Sequence, residues 1–439
     1  DVDIRRMMPH QNRKTYLRGR VSEALGLLYA MHWPYRQFET ARGIRLTPLY
    51  SRLKEHGACF GEVAGWERAN WFAPEGVEPK YEYSFGRQNW FGHAGAEVKA
   101  VREKVGLFDQ STFAKFLVSG PDAERELQRI CAADVAVEPG RAVYTQWLNE
   151  RGGIEADLTV TRISEESYWV VTAAATAVRD LNWLTRNIAA DARVTIDDIT
   201  NAYAVLGVMG PNSRALLQPL CENDLANEAF AFAQSREITI GAAPARATRI
   251  SYMGELGWEL YMPSEFAIGV FDLLVENGAA HGLKLCGMHA MDSLRIEKAY
   301  RHWGHDITDE DTPLEAGLGF AVAFDKNLPF IGRDALLRQR GTKALPKRMV
   351  QFALEDPEPL LYHNEPIYRD GKLVGTTSSA NYGHHLGRAI AMGYVRNQDG
   401  VDAGYVSGGK WEIEIGLKRF AARASLKPFY DPTSARMKA

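Results

Sequence analysis

Ile250-Ser-Tyr-Met-Gly-Glu-Leu-Gly-Trp-Glu-Leu260 packs two glycines, a tyrosine, a tryptophan and two carboxylates into one short stretch. Gly254 and Gly257 are expected to let the backbone turn sharply, which delivers Tyr252, Glu255 and Glu259 close together. If a strand follows, its alternation buries Trp258 and turns Glu259 to the opposite side. A carboxylate held there can accept two parallel N–H bonds from a flat heterocycle whose ring N–H and amino group form a fork like guanidinium. Tyr252 can pack against such a ring or donate its hydroxyl. The same residues also fit a solvated hairpin with an ordinary core tryptophan.

Upstream, Gly152-Gly153 precedes Asp157, so the carboxylate is expected at a strand mouth rather than in mid-strand. Turn capping explains an Asp beside glycines equally well, and spacing alone favours it. Downstream, 286–298 reads as a helix with Ala290, Met291 and Leu294 inward and Glu297 outward, four residues before Arg301. His289, Asp292 and Arg295 on that helix fit structural pairing better than catalysis. His302 with His305, and the adjacent His384-His385, lack a completing cysteine or carboxylate set, so a metal site is not expected.

The chain has 439 residues and 46% hydrophobic content, which calls for two to four packed units. With 52 Lys and Arg against 55 Asp and Glu, and no basic block, nucleic acid is not an expected partner. Cys59, Cys131, Cys221 and Cys286 form no C-x-x-C pair, which fits a reducing compartment. No apolar run reaches the length of a membrane span, and the N-terminal Asp1-Val-Asp-Ile-Arg-Arg lacks a signal-peptide pattern. The expected location is cytoplasmic, or the mitochondrial matrix in a eukaryote. No dinucleotide-binding G-x-G-x-x-G occurs before residue 150.

Along the chain, 1–45 reads as a helical connector, with Leu17, Val21, Leu25 and Leu28 at helical spacing over 16–31. From 47 to 140 short helices are expected to alternate with aromatic loops, including an amphipathic helix over 121–131. The runs 158–163 and 168–172 predict a hairpin, and Thr176 opens a helix. Residues 46–345 thus form one α+β domain. The remainder, 346–439, is strand-rich, and Asp370-Gly371 between alternating runs predicts a tight hairpin in a small antiparallel barrel or sandwich.

Several motifs then stand in a recognisable order: Thr47-Pro-Leu-Tyr-Ser-Arg-Leu-Lys54, Gly65-Trp-Glu-Arg-Ala-Asn-Trp-Phe-Ala-Pro74, Val105-Gly-Leu-Phe-Asp-Gln110, Gly152-Gly153 with Asp157, Gly254-Glu-Leu-Gly-Trp-Glu259, Met291-Asp-Ser-Leu-Arg-Ile-Glu-Lys298 and Phe330-Ile-Gly-Arg-Asp334. Together they resemble the glycine-cleavage T-protein family. The Trp66–Pro74 motif is most similar to the C-terminal half of dimethylglycine and sarcosine dehydrogenases and oxidases. The resemblance implies a three-lobed ring around a tetrahydrofolate pocket, with an α+β body and a C-terminal antiparallel β-barrel. It also implies a catalytic Asp157, a pterin-gripping Glu259, a pocket Tyr252, and a cofactor-side Thr172, this chain having Thr172 and Ala175 where the family typically has Asn. The implied activity is aminomethyltransferase chemistry: an iminium from an N-methylated amine is captured as 5,10-methylenetetrahydrofolate. FAD would belong to a separate or missing flavoprotein half, whose middle region the first forty residues resemble. Met291 in place of a helix Arg, and Tyr430-Asp431 in place of an aromatic-Arg pair, tell against a lipoyl-bound substrate and the usual grip on the folate tail. The alternatives are a flavin-free folate-dependent demethylase and a non-catalytic folate-binding subunit.

Overall fold

The structure, a computed structural model, describes residues 7–342 and 344–439, so the N-terminal hexapeptide read above lies outside it. Two antiparallel-rich sheets and a barrel organise the rest. The first sheet has six strands in the order Ser235–Ile240, Ala243–Thr248, Gly257–Pro263, Tyr203–Met209, Val105–Asp109, Leu283–Leu285, with only the last pair parallel. The second has five: Arg141–Leu148, Ile154–Ser164, Ser167–Thr172, Ala114–Ser119, Thr195–Asp198. Each sheet buries one face under helices. Trp258, Leu260, Val208 and Leu206 pack on the Ala267–Gly278 helix through Val270, Phe271 and Leu274. Phe116, Leu158, Val160 and Val170 pack on the Ala123–Ile130 and Ala177–Asn187 helices through Leu127, Ile130, Trp183 and Leu184.

The helix-free faces of the two sheets meet each other. Trp169 and Val171 of the second sheet pack with Val205 and Tyr261 of the first, and the Trp169 and Tyr261 rings lie 5.7 Å apart. Because side chains alternate along a strand, this contact fixes which residues face the space between the sheets. On the second sheet these are Lys115, Tyr144, Gln146, Asp157 and Thr159; on the first, Gly207, Glu259 and Tyr261.

Residues 347–425 close into a six-stranded antiparallel barrel around Val350, Phe352, Ile367, Ala391 and Ile413. The hairpin at Asp370-Gly371 forms as expected, with Asp370 in the left-handed region at φ 51°. The 158–172 hairpin and the helix opened by Thr176 also form.

Five expectations need correction. The 47–140 region is not helices and loops alone: Ala58–Val63 and Trp66–Phe72 pair as a hairpin, and two sheet strands follow. Its turn, Ala64-Gly65, has positive φ at both residues, and an alanine there gives no turn signal in the sequence. Gly254 does turn, at φ 80°, but Gly257 lies within a strand, where a side chain would collide with Met209. Asp157 sits inside the Ile154–Ser164 strand, paired with Gln146, rather than at its mouth. Glu297 points inward, not outward, and is fully buried. The connector helix runs Lys14–Gly26, shorter than expected, and leaves Leu25 and Leu28 67% and 62% exposed. Among the described residues no helix is long and apolar enough to cross a membrane.

Candidate functional site

Two carboxylates face the space between the sheets, and each is held by a glutamine. Gln146 Nε2 donates to Asp157 Oδ1 at 2.9 Å, across the strand pair that joins them. Gln110, in the turn after Val105–Asp109, donates through Nε2 to Glu259 Oε1 at 3.4 Å, and the Tyr261 hydroxyl donates to Oε2 at 2.5 Å. Gly207, directly opposite Glu259 in the ladder, is required for this arrangement. A Cβ there would lie 2.3 Å from Gln110 Oε1.

Among the described residues, both glutamines keep a buried Oε1 with no hydrogen-bond partner. Their orientation is fixed by the carboxylates, since a flipped amide would set oxygen against oxygen. A buried carbonyl oxygen without a donor is costly, so each glutamine offers an acceptor beside its carboxylate.

Burial dominates the electrostatics. It pushes Asp157 up to about 6, against hydrogen bonds from Gln146 and Tyr144 and the field of the Arg301 guanidinium. It also raises Glu259, against Tyr261, Gln110 and the charge of Lys115. Lys115 is fully buried on the same inner face, and its Nζ donates to the carbonyls of Ser111 and Phe113 at 2.9 and 2.8 Å. Burial lowers it to about 8, while Asp109, Asp198 and Glu259 hold it up.

Depth and exposure diverge at several of these residues. Tyr144 is 37% exposed, yet burial is the largest cause raising its hydroxyl, and Asp157, Glu259 and Tyr252 are likewise partly exposed and deep. A group that is deep among protein atoms and still touches solvent faces an internal space. Tyr252 lines this region from the other side. Its hydroxyl donates to the Arg301 carbonyl at 2.8 Å, its ring stacks on Tyr300, and it lies in the field of Asp157. A separate recess of about 260 Å³, lined by Thr47, Trp66, Ser111 and Tyr203 among others, holds no carboxylate and offers less chemistry.

Asp157 and Glu259 thus face the space between the two sheets, and Tyr252 lies within the field of Asp157. Thr172 does not face that space. It turns to the helix side of its sheet and donates to Asp180 Oδ2 at 2.6 Å, because its place in the strand shares parity with Val170 rather than Val171. That corrects its expected cofactor-side position. Glu255, delivered by the same turn as Glu259, is also elsewhere, in a buried ion-pair network with Arg102 and Arg436. Gln110, Gln146, Lys115, Tyr144 and Tyr261 were not singled out from sequence. Tyr261 alone had a signal, two residues from Glu259 on the same strand face.

Comparison with known proteins agrees with this architecture. Residues 49–326 match the GCVT N-terminal domain, 347–431 the glycine cleavage T-protein C-terminal barrel domain, and 1–47 the FAD dependent oxidoreductase central domain. The chain is 46% identical over 437 residues to 4-methylaminobutanoate oxidase (formaldehyde-forming) of Paenarthrobacter nicotinovorans, covering 100% of this chain and 52% of that protein. It is 33% identical over 468 residues to human mitochondrial sarcosine dehydrogenase, covering 96% and 50%. It therefore spans about half the length of these relatives. Among solved structures, the glycine cleavage system aminomethyltransferase T of Bartonella henselae superposes with a TM-score of 0.74 at 26% identity, covering 89% of this chain and 99% of that one.

Proposed function

Because the chain belongs to the glycine-cleavage T-protein family, as a folate-binding half of the dimethylglycine and sarcosine dehydrogenase type, we propose that it captures the one-carbon unit of an N-methylated amine on tetrahydrofolate. The observation that carries this reading is the paired set of acceptors between the sheets: Glu259 with the free Oε1 of Gln110, and Asp157 with the free Oε1 of Gln146. The donor set suits a pterin edge, whose N–H and amino groups need acceptors and whose flat ring needs a dry slot.

In this reading Glu259 and Gln110 grip the pterin edge, with Tyr261 fixing the carboxylate rotamer and Lys115 balancing its charge. Tetrahydrofolate would supply the two nitrogens that bond the carbon, the C–N bond to the amine breaks, and the products are 5,10-methylenetetrahydrofolate and the demethylated amine. Asp157 faces the incoming iminium and stabilises its positive charge; Gln146 and Tyr144 orient the carboxylate. Depth limits the access of water to the cation, which otherwise hydrolyses to formaldehyde. The oxidation that makes the iminium belongs to an FAD-containing half. Support for that partner is the 1–47 match and the exposed stripe of Leu17, Val21, Leu25 and Leu28 on the connector.

The name of the Paenarthrobacter relative favours a second reading, in which the one-carbon unit leaves as formaldehyde. Partition of product separates the two. With the chain joined to its flavoprotein half and supplied with an N-methylated amine, adding tetrahydrofolate should replace most of the released formaldehyde by methylenetetrahydrofolate. Formaldehyde release that ignores tetrahydrofolate would establish the second reading instead.

A further inference from the structure

After the last barrel strand the chain returns to the body, and residues 430–439 touch both flanks of the turn that carries Tyr252. This segment joins no strand, and side chains do most of the holding. Before the turn, the buried Arg249 guanidinium donates to the carbonyls of Phe230 at 2.7 Å and Ala439 at 2.8 Å. Arg214 donates to the same Ala439 oxygen at 3.0 Å. After the turn, the buried Glu255 accepts from Arg102 and Tyr430, and from Arg436 Nε at 2.7 Å. Arg436 Nη2 also donates to the Arg102 carbonyl at 2.7 Å.

The residues that follow the Met288–Glu297 helix are held by the same segment. Lys298 Nζ donates to the Asp431 carbonyl at 2.7 Å, to the Asp431 carboxylate at 3.3 Å and to Ser434 Oγ at 3.2 Å. The Lys298 stem packs against Gly254, where a Cβ would stand 2.4 Å from Cγ, so the turn needs glycine there for space as well as for its φ of 80°. Tyr300 stacks on Tyr252 with ring centroids 5.9 Å apart, and its hydroxyl meets Met437 Sδ at 2.9 Å. Met437 is buried although both of its neighbours are exposed. The turn supplies less of its own: the Gly254 and Glu255 amides donate to Ser251 Oγ at 3.1 and 3.3 Å, and the Tyr252 hydroxyl reaches the Arg301 carbonyl.

We infer that residues 430–439 form a strap that positions Tyr252, with Arg436 as its positioning residue. Arg249 and Glu255 on the two flanks of the turn, and Lys298 and Tyr300 packed against it, all end on this strap. Without it Tyr300 loses the partner of its hydroxyl and Lys298 its carboxylate, and both are the surfaces against which the turn rests. Arg436 is 42% exposed while Glu255 is 1% exposed, so this ion pair closes the site from outside. Glu255 keeps Arg102 when Arg436 is removed, so no buried charge is stranded and the fold survives the change. Tyr252 lies in the field of Asp157. A tyrosine ring released to other rotamers there changes what the space beside Asp157 holds. The grip of the strap on the turn stands by itself; its effect on tetrahydrofolate rests on the proposed function.

The test labels the full chain with 3-fluorotyrosine, assigns the Tyr252 fluorine line by its loss in Tyr252→Phe, and compares wild type with Arg436→Ala and Arg436→Lys. Arg436→Ala should shift or broaden the Tyr252 line, and Arg436→Lys, which can still pair with Glu255, should restore it. In parallel, Arg436→Ala should weaken tetrahydrofolate binding about fivefold in the wild-type background and leave it unchanged in a Tyr252→Ala background. A residue that merely stabilises the fold would lower the melting temperature without moving the Tyr252 line. An unmoved line in Arg436→Ala, or an equal loss of affinity with and without the Tyr252 ring, overturns the inference. The fluorine line decides the matter even if Tyr252→Ala fails to fold. A wild type that binds no tetrahydrofolate while its Tyr252 line still responds to Arg436→Ala supports the strap and counts against the folate reading alone.

Discussion

Asp157→Asn is expected to lower folate-dependent one-carbon capture about a hundred- to thousandfold and, at pH 7, to make the chain more stable. The two effects share one cause. Burial lifts this carboxylate from 3.8 to about 6, so the folded protein holds the proton more tightly than the unfolded chain does. Between about pH 4 and pH 6 the folded state is therefore the one that binds more protons, and stability falls as pH rises through that window. Above about 6 the penalty is constant. The full displacement corresponds to about 3 kcal/mol, and solvent reaching the carboxylate reduces it to roughly 1–2 kcal/mol. Asparagine cannot ionise and keeps the amide contact to Gln146, so the gain should be present in thermal melts at pH 7 and vanish below about pH 4. Wild-type capture should rise through pH 6 as the carboxylate ionises, while the variant stays flat. A variant that loses stability at pH 7, or keeps wild-type capture, would show that Asp157 is an ordinary structural residue.

Arg102→Ala should be among the most damaging substitutions in the chain, at about 3–5 kcal/mol. Its guanidinium is buried and serves Glu297 Oε2 at 2.8 Å, Glu255 Oε1 at 3.0 Å and the carbonyls of Met253 and Leu294 at 2.7 and 3.1 Å. Tyr430 lies beneath it, 3.9 Å from the guanidinium carbon. Glu297 in turn accepts from the backbone of His385 and Leu386 in the barrel, and Glu255 accepts from Arg436 in the C-terminal tail. One cation therefore joins the Phe91–Glu103 helix, the turn that carries Tyr252, the Asp292 helix, the barrel and the tail. Removing it strands Glu297 without a counter-ion in a site it cannot leave. Urea denaturation should report the loss, and Arg102→Ala combined with Glu297→Gln should recover part of it. Additive losses in the double variant would mean that the two side chains are not energetically coupled.

The barrel was legible because its signals are local: alternation within short strands and an Asp-Gly turn that needs nothing from the rest of the chain. The same holds for the 158–172 hairpin and the Thr176 cap. The Ala58–Phe72 hairpin was not, because an alanine adopts a positive φ in its turn and a tertiary setting supports it. Glu297 illustrates the harder limit. Helical periodicity placed it outward as any glutamate would be, and only Arg102, far away in sequence, makes its burial affordable. Strand alternation placed Glu259 on the face opposite Trp258, where the structure has it, and family resemblance pointed to Asp157. The glutamines that hold both were hidden, since a cross-strand partner such as Gln146 depends on register, and register follows from the bulges in the ladder. Thr172, placed on the cofactor side by resemblance alone, turns the other way, since one step along a strand exchanges the open face for the helix side.

Calorimetric titration of the purified chain with tetrahydrofolate tests the central claim most directly, with Glu259→Gln and Asp157→Asn alongside. Saturable binding to the wild type is expected, weakened about a hundredfold in Glu259→Gln, where the amide places a donor against the pterin N–H groups, and little changed in Asp157→Asn. Binding that Glu259→Gln leaves intact, or no binding by the folded wild-type chain, would contradict a folate site between the two sheets.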